Sequence, residues 1–344
     1  MAEAGACALI AALVGRLAPG ASAREQAEAA CVLACLCNHD SRNRDYIRES
    51  GGVAALVGLL APGGSAAVRG NAAGVLCKLC YENAPNKDSV RECGGVAALV
   101  ALLAPGGAFN EREQAVGAVC NLCIDNALNR KFMRECGGVA ALVGLLAPGG
   151  SAFEHEWAAA ALGHLCIDST TPETQSQDSV RACGGVAALV GLLAPGSPAA
   201  VQEQAAVALT NACNGNVLNQ DSARECGAIA ALIALLAPGG SPAVQVRAAG
   251  ALCNLSLNNT KNQDNVRECG GVVALVGLLV PGGSAFVHQS VAVALLNLTS
   301  ESAQGREAVR ACGGGAALQG VLACPSSAAA HSMAAVVLRN LGRV

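Results

Sequence analysis

The residues best suited to chemistry in this sequence are its eighteen cysteines and five histidines. Cys77-x-x-Cys80 and Cys120-x-x-Cys123 have the spacing of zinc-ligand pairs. Both pairs lie in stretches whose apolar periodicity predicts a helix, and no histidine cluster accompanies them. We therefore predict no metal site, no cofactor and no disulfide, and interpret the recurring cysteines as small buried packing residues in a reducing compartment.

Nothing in the sequence has the pattern of an active site. The five histidines are scattered, and the Gly-Gly pairs follow predicted helices without the Gly-Lys-Ser/Thr of a phosphate-binding loop. Polar residues that recur once in every structural repeat would lie about 10 Å apart, the usual distance between packed helices. That spacing suits an extended ligand better than a single reacting centre, so we predict that the protein is not an enzyme.

The composition argues against some classes of binding partner. The chain has 344 residues, 53% of them hydrophobic and 14% charged, and a formal net charge of -3. This charge balance argues against a dedicated nucleic-acid or anionic-membrane binder. The uncharged stretch 269–300 is interrupted at Pro281, which leaves a preceding apolar run too short to span a bilayer. We expect a protein or peptide partner, without nucleic acid or membrane.

Proline marks a repeat of about 43 residues along the whole chain. The prolines at this interval are Pro19, Pro62, Pro105, Pro148, Pro195, Pro238, Pro281 and Pro325. A period in the forties predicts a solenoid of helical units, in which no unit buries its apolar faces alone.

The fifth repeat predicts three helices. The first begins after Asp178, an N-cap candidate, and ends at the Gly184-Gly185 turn. The second ends at Pro195, and the third runs from about Pro198 to Cys213.

Three columns of apolar residues recur at fixed places in the repeats and are the predicted core. One column comprises Leu56, Leu99, Leu142, Leu189, Leu232 and Leu275; the second comprises Leu33, Leu76, Leu162, Leu209, Leu252 and Leu295; the third comprises Ala29, Ala72, Ala115, Ala158, Ala205 and Ala248.

Two segments carry a family resemblance. The segment Arg91-Glu-Cys-Gly-Gly-Val-Ala-Ala-Leu-Val-Ala-Leu-Leu103 and the segment Ala248-Ala-Gly-Ala-Leu-Cys-Asn-Leu-Ser256 resemble the armadillo repeat, and the likeness extends over all 344 residues. The resemblance implies an all-α fold, a right-handed α-solenoid (superhelix) of about eight three-helix repeats. We predict one solenoid over 1–344, with repeats at about 1–44, 45–87, 88–130, 131–177, 178–220, 221–263, 264–306 and 307–344.

Armadillo proteins line a concave groove with their third helices, and the resemblance implies that asparagine there can hold the backbone of an extended peptide. A carboxamide offers a donor and an acceptor, which suits a peptide group. The alternative is that these asparagines end the helix or bond a neighbouring loop. The predicted column is Asn121, Asn211, Asn254, Asn297 and Asn340, which we expect to face solvent in the free protein.

Charged and aromatic residues one to two turns earlier complete the predicted groove. The middle of this surface is mildly acidic, and Trp157 is its one large ring, either an anchor for a partner or a gap filler. The predicted groove residues besides the asparagines are Glu113, Gln114, Glu156, Trp157, Glu203 and Gln204.

The predicted function is a non-catalytic scaffold or adaptor that binds an extended peptide or a helical partner. A nucleocytoplasmic transport adaptor is the alternative, disfavoured because Val or Gly stands four residues before each of the five asparagines, where import receptors carry Trp. A structural module of a larger assembly is another alternative. We expect a cytoplasmic protein, with the nucleus as the second compartment, whose uncapped ends could associate.

Two further features are interpreted as structural. The arginine column of the first helices complements the helix dipole and pairs along the surface, with an anionic partner as the alternative. Its members are Arg48, Arg91, Arg134, Arg181, Arg224, Arg267 and Arg310.

The fourth repeat has four extra residues, which we assign to a loop over 168–177.

Overall fold

The computed structural model describes residues 2–167, 175–324 and 327–342. These residues form twenty-three α-helices and no strand. They divide into two compact units, one made of residues up to 167 and one that starts at 175. Among the described residues, none of the helices combines the length and apolar content required to cross a bilayer.

The first unit contains eleven helices. They are α1 (Ala2–Gly15), α2 (Ala23–His39), α3 (Ser41–Glu49), α4 (Gly52–Gly58), α5 (Ala66–Cys80), α6 (Ala84–Glu92), α7 (Gly95–Leu102), α8 (Phe109–Cys123), α9 (Ala127–Glu135), α10 (Gly138–Leu145) and α11 (Ala152–Leu165). The third helices of the repeats, α2, α5, α8 and α11, pack in that order.

The second unit contains twelve helices. They are α12 (Gln175–Ala182), α13 (Gly185–Gly191), α14 (Ala199–Cys213), α15 (Val217–Glu225), α16 (Ala228–Ala234), α17 (Pro242–Ser256), α18 (Thr260–Glu268), α19 (Gly271–Gly277), α20 (Ala285–Ser300), α21 (Ala303–Ala311), α22 (Gly314–Ala323) and α23 (Ala328–Leu341). Its third helices, α14, α17, α20 and α23, also pack in order.

The predicted core columns are confirmed. Every leucine of the two leucine columns is at most 1% exposed, and every alanine of the third column is fully buried. The alanines are on third helices, which pack against one another in sequence order, and a side chain this small is suited to closely spaced helices.

The turn between first and second helices requires glycine for two reasons. Gly94 has a φ of +78°, a conformation that favours glycine. A Cβ on the next residue, Gly95, would lie 2.6 Å from Cγ1 of Val90. In the sixth repeat Ala228 takes this second place, and there the valine is replaced by the smaller Ala223.

A buried asparagine column joins consecutive repeats, and the sequence analysis did not identify it. Asn219 is fully buried, and its Nδ2 donates to Ala212 O at 2.7 Å and to Gln177 O at 3.0 Å. These bonds satisfy carbonyls at the end of one helix and in the preceding first helix. The fully buried members of the column are Asn86, Asn129, Asn219 and Asn262.

The prediction that the recurring cysteines are buried is half correct. The column late in the third helices is buried: Cys37, Cys80, Cys123, Cys166 and Cys213. The column before the glycine turn is exposed or half-buried because its members lie at the surface end of the first helices: Cys93, Cys136, Cys183, Cys226, Cys269 and Cys312.

The start of the fifth repeat also differs from the prediction. Asp178 is not an N-cap, because α12 begins at Gln175. Its Oδ1 instead lies 2.8 Å from the Arg181 guanidinium and accepts a bond from Asn216. Residues 175–177 of the predicted loop are therefore helical, and residues 168–174 lie outside the described part of the chain.

Candidate functional site

The third helices carry the predicted groove residues, divided between the two units. We call the predicted groove residues of α8 and α11, with Phe153, the first strip, and those of α14, α17 and α20, with Arg247 and Phe286, the second strip. The first strip contains Glu113, Gln114, Asn121, Glu156 and Trp157, and the second contains Glu203, Gln204, Asn211, Asn254 and Asn297. Asn340 lies on α23.

An aromatic pair marks the first strip. Trp157 is half-buried, and its ring centroid lies 5.6 Å from that of Phe153, one turn earlier on α11. The rings are tilted by 32°, and their separation lies within the range of aromatic contacts, about 4.5–7 Å. Phe153 is 39% exposed, so part of the pair remains open to a partner.

The carboxylates of the first strip have no cationic partner among the described residues. Glu113 accepts a hydrogen bond from the Ser151 hydroxyl at 3.2 Å, and Glu156 is half-buried beside Trp157. Gln114 lies across the neighbouring helix, with its Oε1 2.8 Å from where a Cβ on Gly74 would be. The first strip therefore combines uncompensated negative charge with aromatic surface.

Two other glutamates on the same helices are buried and paired. Glu111 is 3% exposed and lies 2.7 Å from the Arg69 guanidinium, and Glu154 is 2% exposed and lies 2.7 Å from that of Arg112. Each pair joins one repeat to the next. These arginines are consequently occupied and do not neutralise the outward carboxylates.

The second strip is electrically balanced. Arg247 Nε lies 3.2 Å from Oε1 of Glu203, and the two side chains are 49% and 25% exposed. A cavity of about 440 Å³ lies beside this pair, lined also by Val246 and Phe286. Gln204 is half-buried one residue after Glu203.

The asparagine column bonds to the preceding third helix and does not simply face solvent, as the sequence analysis expected. Asn121 is 5% exposed, and its Nδ2 donates to Cys77 O at 3.0 Å. Asn254 donates to Thr210 O at 3.1 Å in the same way. The Oδ1 of both residues has no partner among the described residues and remains an acceptor.

The other asparagines of the column differ in how closely their side chains approach the preceding third helix. Asn297 donates to Cys253 O at 3.1 Å, and Asn340 reaches Ser300 Oγ only at 3.5 Å. Asn211 is half-buried, and its backbone carbonyl accepts from Gln177 Nε2 at 2.8 Å. No observation tests whether these residues contact a ligand, so that role stays a prediction.

The Cys-x-x-Cys pairs have the properties of packing residues. Burial raises the pKa of Cys77 to about 11 and that of Cys123 to about 12. Burial also raises the pKa of Cys80 and Cys120. Because the thiolate is the metal ligand and nucleophile, these thiols are poorly suited to either role. The described residues contain no group of three or more potential metal ligands.

The arginine column of the first helices pairs along the surface as predicted. Arg48 lies 2.8 Å from Asp45, and Arg267 lies 2.7 Å from Asp264, each three residues earlier on the same helix. Arg48 also donates to Asn86 of the next repeat at 3.0 Å. These contacts join residues within the first helices and connect one repeat to the next.

The sequence analysis did not select three residues of these strips, Phe153, Phe286 and Arg247. A compositional signal was present: the chain has four phenylalanines, and three of them stand in the first two residues of third helices. Phe286 is 75% exposed and Phe109 is 53% exposed. Phe153 and Phe286 occupy the same place in their third helices, and Phe109 lies one residue earlier in its own.

Comparisons with known proteins agree with the predicted three-helix repeat. The Armadillo/beta-catenin-like repeat model matches residues 40–81, 83–124, 174–214 and 216–257. The comparison with curated proteins found no match.

Three solved structures are similar to this chain in fold. One engineered protein is 28% identical with a TM-score of 0.66, covering 72% of this chain and 96% of its own; another is 26% identical with a TM-score of 0.64, covering 97% and 88%. A designed armadillo-repeat protein in complex with the peptide (KR)4 is 21% identical, with a TM-score of 0.64 and coverage of 72% and 99%.

Proposed function

Since the chain is an armadillo-repeat protein, we propose that it is a non-catalytic scaffold that binds an extended segment of a partner protein along its third helices. Armadillo-repeat folds are typical of protein-binding scaffolds. The proposal commits further to the first strip as a binding place, and to a partner segment that carries basic side chains.

The observation that carries the proposal is the chemistry around Trp157. Glu113 and Glu156 have no cationic partner among the described residues, and the Trp157–Phe153 pair offers partly exposed rings. A lysine or arginine side chain gains from a carboxylate and from an aromatic face at about 6 Å or less. Its approach is accelerated by the negative charge at low ionic strength.

The asparagine column offers a partner segment fewer hydrogen-bonding groups than the sequence predicts. Because one N–H of Asn121 is bonded to Cys77 O, the open Oδ1 is the group that can accept from a partner backbone N–H. A net contribution of about 0.5–1.5 kcal/mol per bond is expected from such contacts. These contacts are independent of partner sequence, so the side-chain preference comes from the acidic and aromatic residues.

A titration with fluorescein-labelled (KR)4 peptide tests the proposal. Trp157→Gln should weaken binding about tenfold, since the ring contact is lost. Glutamine is a suitable replacement because Gln114 and Gln204 occupy the same place in other repeats. A peptide with Gln and Ser in place of Lys and Arg is the charge control. Unchanged affinity of the Trp157→Gln variant for (KR)4 would show that the peptide binds elsewhere.

A further inference from the structure

We infer that the second unit carries a separate pocket for one large, uncharged apolar side chain of a bound segment. The pocket lies between the N-terminal turns of α14, α17 and α20. The inference rests on the proposed function, because it specifies what an extended partner segment must present to the second strip.

The cavity has the size and lining for such a side chain. Its volume of about 440 Å³ falls in the range of ligand pockets, roughly 300–1,000 Å³. Its apolar walls come from Pro242, Ala243, Val246 and Phe286. A leucine or aromatic side chain inserted here would remove apolar surface of both molecules from water.

Phe286 is not required by the packing of its own repeat. The ring is 75% exposed, the largest exposure among the large apolar side chains of the described residues. The same place on the two preceding third helices is occupied by Ala200 and Ala243. Since α14 and α17 form with alanine there, the ring at 286 provides surface and not core.

The charges beside the cavity favour an uncharged segment. Glu203 and Arg247 neutralise each other, with Nε and Oε1 3.2 Å apart. An incoming carboxylate would face Glu203, and an incoming ammonium group would face Arg247. Glu203 is the one hydrogen-bond partner of Arg247 among the described residues, so its other N–H donors can bind a backbone carbonyl of the segment.

The four phenylalanines allow both strips to be followed in one experiment. Protein labelled with 4-fluorophenylalanine gives one ¹⁹F signal for each of Phe109, Phe132, Phe153 and Phe286. The variants Phe286→Ala and Phe153→Ala assign the two signals of interest, and alanine at 286 matches the residue of the preceding repeats. The probe is the capped peptide Ser-Gly-Ser-Leu-Ser-Gly-Ser, with an otherwise identical alanine peptide as its control.

The leucine peptide should shift the Phe286 signal and leave the Phe153 signal in place. The alanine peptide should bind about tenfold more weakly, because most of the buried apolar surface is missing. Affinity for the leucine peptide should be unchanged between about 0.05 and about 0.5 M NaCl, since no net charge is involved. Arg247→Gln, which copies Gln204, should weaken binding about threefold through loss of the carbonyl contact.

The inference is overturned if the Phe286 signal does not move, or if a peptide with Asp or Lys in place of Leu binds more tightly. Adding (KR)4 to the same sample tests the proposed function separately through the Phe153 signal. A shift at Phe286 with leucine peptide but none at Phe153 with (KR)4 would refute the basic-segment proposal and retain the pocket. The opposite pattern would refute the pocket alone.

Discussion

The N-terminal turns of the third helices differ between the two units in where they hold charge. In the first unit Glu111 and Glu154 are buried and pair with Arg69 and Arg112 of the preceding repeats. In the second unit the glutamate column is replaced by buried valines, Val201, Val244 and Val287. The places of Arg69 and Arg112 are taken there by Gln202 and Gln245, whose amides donate to carbonyls three residues beyond the second helices, Ala194 O and Ala237 O.

The outward residues also differ between the two units. Where arginine is used to bridge buried glutamates, the outward Glu113 and Glu156 remain without a cation among the described residues. Where the inner layer is apolar, an arginine stands in the outer layer, and Arg247 neutralises Glu203. The two strips therefore differ in charge: the first has carboxylates without a cation among the described residues, and the second has a neutral ion pair.

The largest expected effect comes from breaking an inner ion pair. Glu154→Ala should lower the free energy of unfolding by about 3–5 kcal/mol, because the Arg112 guanidinium stays largely buried without its partner. The Ser151 backbone N–H also loses its acceptor. Urea denaturation followed by the fluorescence of Trp157, on the same helix, measures the change.

The double variant Arg112→Gln/Glu154→Val is the matched control, since it installs the residues of the second unit. It should cost less than about 1 kcal/mol, because no unpaired charge is left buried. A double variant as unstable as Glu154→Ala would contradict the comparison, by showing that the two inner layers are not interchangeable.

The next effect concerns the outward carboxylates of the first unit. Glu113→Gln/Glu156→Gln should weaken binding of (KR)4 about tenfold at low ionic strength, because two attractive charges are removed. Anisotropy titrations at about 0.05 and about 1 M NaCl measure this, and the difference from the unmodified protein should vanish at high salt. A loss that is equal at both salt concentrations would indicate damage to the surface and not removal of charge.

A smaller effect tests whether the second strip can be given the character of the first. Arg247→Gln leaves Glu203 without its partner and should raise the affinity of the second unit for (KR)4 about threefold. Placing the change in a Trp157→Gln background isolates the second unit. Arg247→Lys keeps the charge and should show no gain; equal gains in both variants would mean that charge is not the cause.

The smallest effect is a pH dependence of stability that involves the second unit. His288 is 2% exposed, and burial lowers its pKa from the usual 6.5. Because the folded state favours the neutral ring, the contribution of this residue is fully present above pH 6.5 and is lost as the pH falls below that value. Glutamine occupies this place in the two preceding repeats, so His288→Gln is a conservative control.

Melting temperatures at pH 8 and pH 5 measure this dependence. The unmodified protein should lose more stability on acidification than His288→Gln does. Identical pH profiles would show that His288 is not desolvated enough to titrate abnormally. His164 of the first unit, whose pKa burial also lowers, remains as a reference in both proteins.

The three-helix repeat was predictable from the sequence because the residues that mark helix faces and helix ends are local or periodic. Leucine and alanine columns mark helix faces, and Gly94-Gly95 marks the turn between first and second helices. These features recur in nearly every repeat and reinforce one another. The predicted end of the second helix at Pro195 is wrong: α13 ends at Gly191, because the chain continues in tighter turns in which Leu193 N donates to Val190 O and Ala194 N to Gly191 O. The third helix predicted from about Pro198 to Cys213 is observed as Ala199–Cys213.

The candidate site was predictable only in outline. The sequence located Trp157 and the acidic residues on third helices, but it overlooked Phe286 and treated Glu203 as an acidic site without its partner Arg247. Such pairings join residues about one repeat apart. They depend on which side-chain conformations reach across a helix interface, and periodicity carries no information about that.

By itself, the sequence determined the three-helix repeat and its buried leucine and alanine columns, because a period of about 43 residues leaves these faces no other partner. The tertiary structure alone decided which glutamates of the third helices are buried and paired. Glu111 and Glu113 are two residues apart with the same charge, yet one is buried against Arg69 and the other faces outward. A turn of about 100° per residue puts them on different faces of α8, and only the neighbouring repeat determines which face meets an arginine.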